Sequence, residues 1–289
     1  MRLDSLLRKI LFALLALFAM ADASARILLM LPGYEGNASW RRHIALAPLV
    51  ASGWQDHGVL VPGRPLARCV KGENRFYTVV LDNEAPLMVQ LAQLESMLRP
   101  LLAVCPNQRL VIAGHSAGGV LGRLLVVRHP EAPVDMLVTI ASPHLGTDMA
   151  KLARMAGDSP MGWMLDMMGE DSLNRSVGLF RDLEPASRPG RFLFWLNHQP
   201  HPPIRYVSVI HPDDNILPFG FGPALVPAFS QDMNHVPALA GRSETLVTGA
   251  GHGLVPPEGV LLARLLATLP AEPGSEPAPP STGTNSMAR

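Results

Sequence analysis

Short runs of β-branched and aliphatic residues, separated by longer amphipathic stretches, restrict the fold of this chain more than any other feature. Six such runs occur, at residues 27–31, 58–61, 110–113, 136–140, 206–210 and 245–248. Continuous apolar runs are typical of strands that are buried on both faces of a parallel sheet. The stretches 86–102, 117–127 and 258–269 carry apolar residues at helical spacing. The alternation predicts an α/β fold with a mainly parallel sheet flanked by helices.

Charge and composition exclude several functional classes. The 24 basic residues are balanced by 24 acidic ones, and no basic run is longer than Arg41-Arg42, so the chain lacks the positive surface that nucleic-acid binding needs. Its two cysteines are not accompanied by a cluster of histidines, which argues against a zinc site. We expect no cofactor and no nucleic-acid partner.

Both ends of the chain differ in composition from its middle. Arg2, Arg8 and Lys9 precede twelve apolar residues, 10–21, and Ala23-Ser24-Ala25 then matches a signal-peptidase site. Residues 1–25 therefore read as an export signal, with an uncleaved membrane anchor as the alternative. Residues 270–289 are rich in Pro, Gly, Ser and Thr and are expected to be a disordered tail. One domain, 26–269, remains between them.

Export would bring the cysteines into an oxidising compartment. A bridge between Cys69 and Cys105 would close a loop of 36 residues and could contribute roughly 3 to 4 kcal/mol. The alternative is two separately buried thiols, because sequence alone does not fix the distance between their Cα atoms.

The sequence Gly114-His115-Ser116-Ala117-Gly118 directly follows one apolar run and opens a predicted helix. A G-x-S-x-G motif between a buried strand and a helix predicts a nucleophile elbow, in which the glycines make room for a strained turn that exposes the serine hydroxyl. Ser116 is therefore the predicted nucleophile, and His115 is interpreted as a packing residue.

A serine nucleophile needs an imidazole base that is oriented by a carboxylate, and after an elbow of this kind the order along the chain is Ser, acid, His. The turn after the run 206–210 contains Asp213 and Asp214, of which Asp214 is preferred as the acid. The loop after the run 245–248 contains His252 between glycines, and we predict it to be the base. His235 is the alternative base.

Hydrolysis by a serine also requires backbone donors for an oxyanion. The N–H of Ala117, directly after the nucleophile, is one predicted donor, and the N–H of Tyr34, in the loop Leu31-Pro32-Gly33-Tyr34, is the other. The alternative for this loop is an ordinary Pro-Gly turn.

The segment from about 145 to 190 contains no convincing strand. Six of the 14 methionines fall between Met149 and Met168, and methionine suits apolar surfaces that adapt to a ligand. The segment is interpreted as a helical lid or cap that binds acyl chains, with a helical pair packed by ordinary core methionines as the alternative.

With these motifs the chain resembles the lipase and esterase branch of the α/β-hydrolase superfamily, including GPI inositol-deacylases. The resemblance rests on the loop 31–34, the elbow 114–118, the stretch Ser142-Pro143-His144-Leu145-Gly146-Thr147 and the acid loop 214–218. It implies cofactor-free hydrolysis of carboxylic esters, a structural role for His144, and Asp214 rather than Asp213 as the acid. Because the usual two leading strands have no room before Ile27, we expect a reduced sheet of about six strands.

The sequence thus predicts a secreted or periplasmic serine hydrolase that acts on a small-molecule or lipid ester and contacts lipid surfaces. Two alternatives remain. The same triad could serve an acyltransferase or thioesterase, or the fold could be a non-catalytic carrier of hydrophobic ligands.

Overall fold

A computed structural model describes residues 25–44, 46–64, 66, 69–70, 72–148, 150, 175–212, 214, 225–249 and 251–270. Seven strands form its centre: β1 (Arg26–Leu31), β2 (Gln55–Leu60), β3 (Arg75–Val79), β4 (Arg109–His115), β5 (Val134–Ile140), β6 (Arg205–Ile210) and β7 (Ser243–Val247). The predicted signal at 1–25 lies outside the described residues except for its last alanine, and the predicted tail lies outside them except for Pro270.

Helices occupy the connections between the strands. In the described residues these are α1 (Ser39–His43), α2 (Ala47–Ala51), α3 (Leu87–Val104), α4 (Ala117–Arg128), α5 (Val177–Asp182), α6 (Phe192–Asn197), α7 (Ala228–Gln231) and α8 (Pro257–Ala267). Two short 3₁₀ turns, Met233–His235 and Pro237–Leu239, precede β7. The three helical stretches predicted from spacing correspond to α3, α4 and α8.

The strands form one sheet in the order β2-β3-β1-β4-β5-β6-β7, and every neighbouring pair is parallel. The carboxyl ends of all seven strands therefore lie at one edge of the sheet. Ligands of open parallel sheets bind outside this edge. The loops that follow β1, β4, β6 and β7 are accordingly the ones in which to look for a site.

Two hydrophobic cores lie on opposite faces of the sheet. Along β1, Ile27, Leu29 and Leu31 belong to one core, which contains the inner faces of α3, α4, α5 and α6. Leu28 and Met30 belong to the other core, with residues of α1, α2 and α8. Both faces are covered, so the strands read as continuous apolar runs. The predicted α/β architecture is confirmed.

The expected strand number was wrong by one. The run that was missed, β3, has the sequence Arg75-Phe76-Tyr77-Thr78-Val79 and is buried throughout. Its apolar pattern is interrupted by Thr78, and it begins with a fully buried arginine whose guanidinium is paired with Glu73. The position of β3 between β2 and β1 makes it an interior strand of the sheet.

A disulfide joins Cys69, in the connection from β2 to β3, to Cys105 at the end of α3, with a Cα–Cα distance of 5.2 Å.

The described residues contain no helix that is both long enough and apolar enough to cross a bilayer.

Candidate active site

Ser116 occupies a strained turn between the last residue of β4 and the first residue of α4. Its backbone angles are φ 52° and ψ −125°, a region that non-glycine residues occupy at a cost of about 1–3 kcal/mol. A Cβ atom on Gly114 would lie 2.4 Å from the Gly118 carbonyl oxygen, and one on Gly118 would lie 2.4 Å from the Pro32 oxygen. Both glycines of the motif are therefore required by close packing around the turn.

Ser116, His252 and Asp214 form a continuous chain of hydrogen bonds. The Oγ atom of Ser116 lies 2.8 Å from Nε2 of His252, and Nδ1 of His252 lies 2.9 Å from Oδ2 of Asp214. Because the carboxylate accepts, Nδ1 carries the proton and Nε2 is left to accept the serine proton. The His252 side chain is 21% exposed and that of Asp214 only 1%. The three hydrogen-bonded side chains are therefore accessible to solvent from the Ser116 side and not from the Asp214 side.

The buried carboxylate of Asp214 is held by groups from the segment that follows it. Its Oδ2 atom accepts hydrogen bonds from the backbone N–H of Val226 at 3.2 Å and from Nε2 of Gln231 at 3.4 Å. The Gln231 amide also donates to the Val226 carbonyl at 2.8 Å. Gln231, at the end of α7, thereby fixes the position of the acid relative to β6.

The loop after β1 packs directly against the elbow. A Cβ atom on Gly33 would lie 2.8 Å from Cβ of Ser116. The Gly33 carbonyl accepts hydrogen bonds from the Asn83 side chain at 2.9 Å and from the Gly36 N–H at 3.0 Å. In a trans peptide the next N–H points away from that carbonyl, so these bonds also set the direction of the Tyr34 N–H. The Tyr34 ring packs against Phe180 with centroids 5.2 Å apart.

Ala117, the other predicted donor, is the first residue of α4 and is 1% exposed. The N–H groups of a first helical turn have no partners within the helix, and the helix dipole places partial positive charge there. This end of α4 adjoins Ser116, and negative charge next to the serine is therefore stabilised.

His115 connects the elbow to the loop that carries His252. Its Nε2 atom lies 2.7 Å from the carbonyl oxygen of His252, and a carbonyl only accepts, so Nε2 carries a proton. Burial, reinforced by the charge of His252, lowers the pKa of His115 to about 3. The side chain is thus neutral near pH 7. It packs as expected and in addition donates a hydrogen bond to the His252 backbone.

Solved structures with a similar fold include a lipase and a phospholipase. The chain superposes on the product of gene lin2722 from Listeria innocua with a TM-score of 0.53 at 12% identity, covering 85% of this chain and 94% of that one. It superposes on the propeptide form of Bacillus licheniformis lipase BlEst2 with a TM-score of 0.51 at 14% identity, covering 89% and 53%. This chain has the α/β-hydrolase fold.

Phospholipase PlaB from Legionella pneumophila shares the α/β-hydrolase fold with a TM-score of 0.52 at 13% identity, covering 86% of this chain and 58% of that one. The chain therefore spans little more than half the length of the propeptide form of the Bacillus lipase and of PlaB. No family model and no curated protein matches the sequence.

Several predicted residues lie elsewhere in the α/β-hydrolase fold. His235, the alternative base, lies in a 3₁₀ turn with Nδ1 bonded to the Phe229 carbonyl at 2.8 Å. His144 is fully buried, with Nε2 3.0 Å from the Thr139 hydroxyl. Asp213 lies outside the described residues, as do Met149 and residues 151–174 of the predicted lid. In the described part of the chain no cluster of three or more metal-binding side chains occurs.

Sequence reasoning missed three supporting residues, Asn83, Gln231 and His115 in its role as a donor. Asn83 acts through one hydrogen bond to a loop that is distant in sequence, and Gln231 acts through several bonds to His211, Asp214 and Val226. Neither belongs to a motif. Only His115 could have been found from the sequence, because it directly precedes Ser116 in the motif.

Proposed function

We propose that this chain is a serine hydrolase of carboxylic esters. The observation that carries the proposal is the hydrogen-bonded chain from Ser116 through His252 to the buried Asp214, at 2.8 and 2.9 Å. It lies at the carboxyl edge of an α/β-hydrolase sheet, beside the first turn of α4. The lipases and the phospholipase that share the fold support an ester as the substrate.

In the first half of the reaction, Nε2 of His252 takes the hydroxyl proton as Oγ of Ser116 attacks the acyl carbonyl carbon. The N–H groups of Ala117 and Tyr34 stabilise the resulting oxyanion. The imidazolium of His252, oriented and stabilised by Asp214, then gives its proton to the leaving alcohol oxygen. The alcohol departs and the acyl group remains on Ser116 as an ester.

In the second half, water attacks the acyl-enzyme while Nε2 of His252 accepts one of its protons. The tetrahedral intermediate collapses, the His252 proton returns to Oγ of Ser116, and the carboxylic acid leaves. The strained backbone of Ser116 keeps the hydroxyl projecting from the elbow through both halves of the reaction.

The substrate we propose is a neutral ester with an apolar acyl group, free or in a lipid surface. Zero net charge gives no attraction for a highly charged substrate. The ring of Tyr34, in the proposed oxyanion loop, packs against Phe180, which belongs to the apolar core. The proposed location is outside the cytoplasm, which is supported by the signal-like residues 1–25 and by the disulfide.

Ser116→Ala tests the proposal. We expect the variant to lose p-nitrophenyl ester turnover by about 10⁴-fold or more and to resist labelling by a fluorophosphonate, because Oγ is the only atom removed. The control is Ser96→Ala, which removes a hydroxyl from the exposed side of α3. Undiminished turnover in Ser116→Ala, with circular dichroism unchanged, would rule out Ser116 as the nucleophile.

A further inference from the structure

A second histidine, which the proposed reaction does not use, contacts the loop that carries His252. His211 directly follows β6, and its Nε2 atom lies 2.5 Å from Oε1 of Glu258, in the first turn of α8. Both side chains are 0% exposed. A buried pair of ionisable side chains lowers stability unless both members are well hydrogen-bonded.

The hydrogen-bond partners of this pair indicate which of its atoms donate and which accept. Nδ1 of His211 lies 2.8 Å from the carbonyl oxygen of Gly251, which only accepts, so Nδ1 is protonated. Glu258 receives hydrogen bonds from the Val255 N–H at 2.8 Å and from the Thr248 hydroxyl at 3.2 Å. As a carboxylate, Glu258 accepts from all three of these groups, His211 included, and in that arrangement His211 is an imidazolium that donates from both ring nitrogens.

The surrounding charges favour the same state. Burial alone would lower the pKa of His211, but the hydrogen bond and charge of Glu258 from α8, the Gly251 carbonyl and the charge of Asp214 outweigh it, and the pKa is raised. His115, the last residue of β4, adds no positive charge near His211, because its own pKa is lowered and it stays neutral. His252 itself lies on the loop that His211 contacts.

These contacts fix the backbone on both sides of His252. The carbonyl of Gly251 belongs to the peptide group that precedes His252, and His211 holds it. The carbonyl of His252 belongs to the peptide group that follows, and His115 holds it at 2.7 Å. Two fixed peptide planes define the direction of the Cα–Cβ bond between them, and so the direction in which the imidazole leaves the loop.

We propose that the buried His211–Glu258 ion pair is a positioning device for His252, holding the Gly251 carbonyl so that the base stays aligned with Ser116. This role rests on the proposed function. A charged donor forms a hydrogen bond about twice as strong as a neutral one, and Glu258 keeps His211 charged. The loop contains glycines with φ of 57° at Gly249 and 78° at Gly251, and it needs such a restraint because glycine adds conformational freedom.

Two substitutions separate this role from general packing. Glu258→Gln keeps the shape and the hydrogen bond from Val255 but removes the charge. His211→Asn keeps a donor for the Gly251 carbonyl but cannot reach Glu258. The matched control is Glu95→Gln, which removes the charge from the partly buried pair Glu95–His129. This pair lies at the far end of α4, about 18 Å along that helix from Ser116.

Steady-state hydrolysis of a p-nitrophenyl ester and ¹⁵N NMR of the histidine rings are the two measurements. We expect kcat to fall by about tenfold to a hundredfold in both variants, with KM within about twofold because the substrate contacts remain. Glu95→Gln retains the wild-type kcat. In the wild type, His211 shows two protonated ring nitrogens at pH 7, and in Glu258→Gln it shows one.

Three results would overturn the proposal. A neutral His211 in the wild type at pH 7 would remove the ion pair. Wild-type kcat in both Glu258→Gln and His211→Asn would remove the positioning role alone and leave the proposed function intact. A wild type that neither turns over esters nor reacts with a fluorophosphonate would remove the proposed function, and the positioning role with it.

Discussion

At the scale of single residues, the close approach of Gly33 to Ser116 couples the proposed oxyanion loop to the proposed nucleophile. A methyl group at position 33 would lie 2.8 Å from Cβ of Ser116 and 3.1 Å from the His115 carbonyl oxygen. Real Cβ atoms do not approach that closely, and therefore the loop or the elbow must move. The Tyr34 N–H would move with it.

We therefore expect Gly33→Ala to lower kcat/KM for p-nitrophenyl esters by about a hundredfold while destabilising the fold by about 1–3 kcal/mol. Gly253→Ala is the control, because a Cβ atom there meets nothing within 4 Å and its φ is not positive. Equal kcat/KM in Gly33→Ala and Gly253→Ala would show that the packing of this loop does not govern activity.

Some residues of the candidate site could be predicted from the sequence and others could not. The positions of Ser116, Asp214 and His252 could be predicted because each follows an apolar run and the order of the three is fixed. The ion pair of His211 with Glu258 joins residues 47 positions apart, and it could not be predicted because nothing in the local sequence of either residue specifies the other. Such pairs depend on how β6 and α8 pack, which is a property of the tertiary structure.

At the scale of elements, the disulfide ties the connection between β2 and β3 to the end of α3. It closes a loop of 36 residues that contains β3 and all of α3. Restricting the unfolded chain over a loop of this length stabilises the fold by about 3 to 4 kcal/mol.

Replacing both Cys69 and Cys105 by alanine is expected to lower the free energy of unfolding by about 3 to 4 kcal/mol, as measured by urea denaturation. Ester turnover at 25 °C is expected to persist, since the bridge lies away from Ser116 and His252. Alkylation of the unreduced wild-type protein followed by intact mass measurement is the control, and no added mass is expected. A double variant as stable as the wild type would contradict the stabilising role.

The strand β3 shows why element prediction was incomplete. The interior strands β1, β4, β5 and β6 were recognisable because continuous apolar runs mark strands covered on both faces. The edge strands β2 and β7 were also recognised from short runs, although most of their residues are exposed or half-buried. β3 is as buried as the other interior strands, but it contains two polar side chains whose partners lie outside the strand: Nη2 of Arg75 donates to Glu73, and Thr78 accepts a hydrogen bond from Arg41. A buried polar side chain with a tertiary partner cannot be distinguished in sequence from an exposed one.

At the scale of the whole molecule, buried neutral histidines make stability depend on pH. Burial is the main cause that lowers the pKa of His115 to about 3, that of His201 to about 4 and that of His144 well below its usual value. In the unfolded chain each has a pKa near 6.5. Between these values the unfolded state binds more protons, so the stability of the fold is present above pH 6.5 and is lost as pH falls.

We expect the free energy of unfolding to decrease between pH 6.5 and 4 by up to about 1.4 kcal/mol per pH unit for each of these histidines, as measured by urea denaturation at half-unit intervals. His201→Gln should give a shallower slope. The raised pKa of His211 acts above pH 6.5 and leaves this range unaffected. Stability that stays constant down to pH 4 would contradict the prediction.

The architecture as a whole was predictable from the sequence, because the alternation of apolar runs with helical stretches leaves few alternatives to a parallel sheet covered on both faces. The order of the strands was not, since β1 lies between β3 and β4 and the chain returns to both sides of it. Local patterns identify the strands, whereas their neighbours are decided by crossovers and core packing.

Because the base follows β7 while the nucleophile follows β4, the candidate site is completed late in synthesis. A ribosome that has made the elbow at Ser116 must add more than a hundred further residues before His252 emerges. Until β7 docks beside β6, the serine has no partner to take its proton. Under the proposed mechanism, a growing or prematurely terminated chain that ends before residue 252 lacks the base and is expected to be inactive.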